Sequence, residues 1–69
     1  MENKEILEMI KNTETIGADL FENAYKMNKD QLRRIIVELY YMATDYIPIE
    51  TIRKELLENL KEYFDVFEE

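Results

Sequence analysis

The sequence predicts an all-α fold, a small three-helix bundle that pairs with a second copy of itself, and three observations carry that reading. Hydrophobic residues make up 46% of the 69, too many for a disordered acidic tail. One glycine and one proline are too few turn formers for a β-rich domain. Apolar residues recur at spacings of three and four along most of the chain. Residues 1–69 are expected to form a single domain. A domain of that size hides only ~60% of its unfolded surface, so pairing would add burial that the core lacks.

Helix one is expected over about residues 2–26, where Ile6, Ile10, Thr13, Gly17, Leu20, Ala24 and Met27 keep one register. Unbroken, it would span roughly 37 Å, against ~27 Å for the helix that follows. Either its first turns overhang or it breaks near residues 12–16, where Thr13 or Thr15 can cap a new start. The break is the preferred reading. Thr13, Gly17 and Ala24 also form a small-residue seam that would admit another backbone.

Helix two, about residues 29–45, opens on Asn28 and Gln31, which have the spacing of a capping box, with Met27 and Leu32 placed as a hydrophobic staple. Its stretch "RRIIVELYYMATDY", residues 33–46, is apolar on nearly every side. On a helical wheel Leu32, Ile35, Ile36, Leu39, Met42, Ala43 and Tyr46 share one arc, the expected core face. Val37, Tyr40 and Tyr41 fall outside it, with Thr44 and the aliphatic stem of Arg33 beside them. Either helix two is the central helix and this second strip is core as well, or the strip is an interface. Tyrosine and arginine are favoured at interfaces because they combine large contact area with polar tips. The interface is the preferred reading, with Arg33, Val37, Tyr40, Tyr41 and Thr44 as candidate contacts. The expected partner is a second copy, since two-fold homodimers are the commonest oligomers.

Helix three, about residues 48–67, follows a short connection, because Pro48 moves Ile47 out of the α region and suits a helix start. Its stripe is Ile49, Ile52, Leu56, Leu60, Tyr63 and Phe67, widened by Leu57 and Phe64. Glu50 and Lys54 have the spacing of an ion pair. Glu55, Glu58, Glu62 and Asp65 lie on the other face as a candidate acidic surface.

The composition closes off most chemistry. Histidine and cysteine are absent, which removes the usual general base, thiolate nucleophiles, disulfides and the commonest metal ligands. Gly17 is the only glycine, so no phosphate-cradling loop exists. No catalytic, metal-binding or cofactor-binding residue is expected. The net charge of −7 opposes a phosphate backbone, which weighs against direct nucleic-acid binding although the turn before helix three superficially suits a helix-turn-helix. A charged amino terminus and the lack of a long apolar run predict a cytoplasmic protein with no membrane span.

The function expected from these observations is a small acidic, non-enzymatic protein-interaction module, homodimeric through helix two. The alternative is an acidic decoy that mimics nucleic acid and inhibits a DNA- or RNA-binding protein, of the type made by phages and mobile elements. Its charge would come from Glu55, Glu58, Glu62 and Asp65.

Overall fold

The computed structural model describes residues 1–42 and 47–64, which form four α-helices where three were expected. They are α1 (Asn3–Asn12), α2 (Ile16–Glu22), α3 (Lys29–Met42) and α4 (Ile49–Tyr63), with one 3₁₀ turn at Ala24–Lys26 between α2 and α3. No strand occurs among the described residues.

The extra helix arises from the break in helix one, which falls at Thr13–Thr15. Thr13 ends α1 in an extended conformation, with φ −96° and ψ 147°. It is buried, and both its hydroxyl and its carbonyl find partners. Its hydroxyl accepts the Thr15 N–H at 3.0 Å and donates to the Asp19 carboxylate, while its carbonyl accepts a hydrogen bond from Arg53 of α4. A threonine side chain that bonds the backbone two residues on competes with helix continuation. A cation at the carboxyl end of α1 also complements the helix dipole. Thr15 occupies the cap position of α2 without making a side-chain cap, and the Thr13 hydroxyl accepts from its backbone N–H in a local turn rather than capping the helix.

The other boundaries follow local chemistry closely. The Asn28 side chain accepts the Gln31 N–H at 2.8 Å and the Gln31 side chain accepts the Asn28 N–H at 2.9 Å, the reciprocal capping box expected there. Pro48 sits one residue before α4 with φ −60° and ψ 148°, its carbonyl accepting from Thr51 and Ile52 at 3.0 and 3.1 Å. Glu50 pairs with Arg53 at 2.7 Å, three residues on, in place of the Lys54 pairing expected. The carboxyl ends predicted for helices two and three, with Ala43, Thr44, Tyr46, Asp65 and Phe67, lie outside the described residues.

The core answers which helix is central. α4 packs against both α1 and α3, so the sandwiched helix is α4, and the reading that put helix two in the middle is corrected. Ile6 and Ile10 of α1 and Leu56 and Leu60 of α4 are fully buried, joined by Leu7, Ile16, Leu20, Met27 and Ile35. Each such side chain contributes on the order of 1.5–3 kcal/mol by leaving water. The α4 stripe is buried only in its middle, since Ile49 and Tyr63 at its ends are exposed. The expected small-residue seam is absent: Gly17 is exposed, and a methyl group built on it would meet nothing within 4 Å.

Candidate interaction surface

α3 turns most of the expected arc inward, with Ile35 buried and Leu32, Leu39 and Met42 packed against the core, and extends that face to two polar residues. Gln31, Ile35 and Glu38 are its buried residues, while Ile36, expected in the core, is 62% exposed. Two polar side chains are therefore inside and an isoleucine outside.

Both buried side chains find partners, although the Nε of Arg34 beside Glu38 is buried without one. The Gln31 amide nitrogen donates to the Met1 carbonyl and to the Asn3 side chain, both at 2.7 Å, while its oxygen serves the capping box. A primary amide can donate twice through nitrogen, and both donations are made. Glu38 forms an ion pair with Arg34 at 2.6 Å and accepts a hydrogen bond from Asn59 of α4 at 2.9 Å. The Arg34 guanidinium in turn lies over the Tyr63 ring, 4.5 Å from its centroid. Arg34, Asn59, Glu62 and Tyr63 line an open cleft of about 260 Å³ at this junction of α3 and α4. That cleft is small and polar, unlike the apolar pockets that hold small ligands.

With that face turned inward, the opposite side of α3 is left to solvent. Ile36, Tyr40, Arg33, Val37 and Tyr41 fall within an arc of about 140° at 100° per residue. Tyr40 is 72% and Tyr41 73% exposed, Arg33 is exposed, and Val37 is half-buried. The two tyrosine rings stand edge to face, centroids 6.2 Å apart and planes at 72°, so each limits the other's freedom before any partner arrives. Of the candidate contacts, four therefore share this outward strip, joined by Ile36; Thr44 lies outside the described residues.

Of the candidate acidic surface, Glu55, Glu58 and Glu62 are exposed along α4, and Asp65 lies outside the described residues. Among the described residues no group of three or more acidic side chains converges to hold a metal ion. No helix among them is long and apolar enough to cross a membrane.

A further exposed pair escaped the pattern reading. Phe21, at 83% exposure, and Tyr25 stand four residues apart on α2 and the 3₁₀ turn, and the Lys26 ammonium lies 5.6 Å from the Tyr25 ring centroid. The signal was present, since each sits one place after a member of the helix-one register, Leu20 or Ala24. No protein-family model, curated protein or solved structure matches this chain.

Proposed function

We propose that the protein is a non-enzymatic interaction module that docks another protein surface on the outward strip of α3. The observation that carries this reading is the pair Tyr40 and Tyr41, both nearly three-quarters exposed beside exposed Ile36 on one helix face. Single exposed apolar residues are ordinary, whereas a contiguous aromatic and aliphatic strip flanked by an arginine has the composition of a binding hot spot. The nearest available partner for such a face is a second copy, which makes the module a homodimer.

A second reading has its own observation, the exposure of Glu55, Glu58 and Glu62 along one side of α4. As a decoy for a nucleic-acid-binding protein, the chain would act through charge, and its binding would fade as salt screens that charge.

One experiment separates the two. The tagged protein is used to capture partners at about 50 and 300 mM salt, alongside Tyr41→Ala and a triple variant with Glu55, Glu58 and Glu62 replaced by glutamine. Capture that survives high salt and the triple change but is lost with Tyr41→Ala supports the strip. Capture lost at high salt and with the triple change supports the decoy and removes the first reading.

A further inference from the structure

We infer that the occupant of the α3 strip is a second copy of this chain whose α3 lies antiparallel about a two-fold axis near Val37, placing each Arg33 over the opposite Tyr40–Tyr41 pair. This inference rests on the docking reading above.

The order of residues along the strip supplies the argument. A two-fold face must complement itself, so whatever lies a given distance on one side of the axis meets what lies the same distance on the other. Arg33 and Tyr41 each stand four residues, about 6 Å, from Val37. An antiparallel crossing therefore sets cation on aromatic faces at both ends and Ile36 and Val37 against their equivalents in the middle. A parallel crossing would set Arg33 against Arg33 and leave both tyrosine pairs without a cation.

Charge permits the same occupant at this face. The chain carries −7, so two copies repel across most of their surfaces. Arg33, Ile36, Val37, Tyr40 and Tyr41 include no carboxylate and one cation, which makes the strip a face where a like-charged copy can approach. An anionic membrane surface has no such face and would be repelled by the rest of the molecule. A convex helix face also gives a small ligand nothing to enter.

Area sets the strength. At about 70% exposure two tyrosines offer roughly 150 Å² each, and with Ile36 and parts of Val37 and Arg33 the strip gives roughly 400–500 Å² per copy. A standard stable interface takes ~800 Å² from each partner, so the pair should be weak, with a midpoint above about 10 µM.

The test is sedimentation equilibrium from about 5 to 500 µM, with helicity measured on the same samples. The expected result is a mass rising from one chain towards two, at least tenfold weaker in Ile36→Glu and about threefold weaker in Arg33→Gln, with helicity unchanged. Ile36 and Arg33 are both exposed, so neither change should disturb the monomer. A dimer abolished by Ile36→Glu but tightened by Arg33→Gln would overturn the antiparallel arrangement and leave the strip as the interface. A monomer at every concentration would overturn the second copy as occupant, while the capture experiment decides the docking reading separately. A dimer indifferent to Ile36→Glu and Tyr41→Ala would overturn both.

Discussion

Glu38 and Tyr41 lie three residues apart on α3 and illustrate what position does to a side chain. The carboxylate is buried with two partners, Arg34 and Asn59, whereas the phenol is exposed. Removing Glu38 would leave a guanidinium and an amide without their shared acceptor. Glu38→Ala should cost about 1–3 kcal/mol in urea unfolding, the partial exposure of Arg34 keeping the figure below that of a fully buried pair. Tyr41→Ala should change stability by less than about 0.5 kcal/mol, because no core contact is lost. A large loss from Tyr41→Ala would put that ring in the core and remove the strip. Gly17→Ala should act in the opposite direction. The methyl group meets open space in a helix, so stability should rise by about 0.4–1 kcal/mol and the melting temperature by several degrees.

At the scale of elements, α2 is the shortest of the four α-helices. It has seven residues, buries Ile16 and Leu20, and is tied at its start by the Thr13–Asp19 contact and through Thr13 to Arg53. Amides of α2 should exchange with solvent sooner than those of α4, and Arg53→Met should widen the gap by loosening the Thr13 corner. Equal protection of α2 and α4 in Arg53→Met would show that the corner needs no guanidinium. Boundaries were the legible part of this architecture, because their causes are local. Asn28 and Gln31 announce the start of α3, Pro48 that of α4, and the threonines around Glu14 mark the break. The buried face of α3 was legible in part: Leu32, Ile35, Leu39 and Met42 meet the core as expected, whereas the burial of Gln31 and Glu38 and the exposure of Ile36 were not foreseen. Its interior groups Gln31 and Glu38 are satisfied by Met1, Asn3 and Asn59, residues more than twenty positions away along the chain, and no local pattern reports such partners. An apolar stripe likewise says that a face is covered without saying by which helix, which is why α4 rather than helix two proved central.

For the whole molecule, the balance of charge and apolar surface decides how association responds to salt. Two copies at −7 each repel, so added salt should strengthen self-association modestly, by screening repulsion around an uncharged middle. A decoy binding a basic partner would show the opposite slope. Sedimentation at about 50 and 500 mM salt reads that sign directly; dimer dissociation by salt would contradict the aromatic strip as the contact. The central place of α4 has a consequence for time as well as for structure. α1 and α3 each find their main neighbour in a helix that follows both in the sequence, and the α1 contact closes a loop of at least the 36 residues between Asn12 and Ile49. α3 and α4 can pair as a local hairpin across a short connection, whereas docking α1 requires Leu56 and Leu60 and carries the entropic cost of closing the long loop. Leu60→Ala should accordingly slow folding as well as hasten unfolding, whereas Leu20→Ala should act mainly on unfolding. On this topology the docking of α1 should be the late step, set by when α4 becomes available.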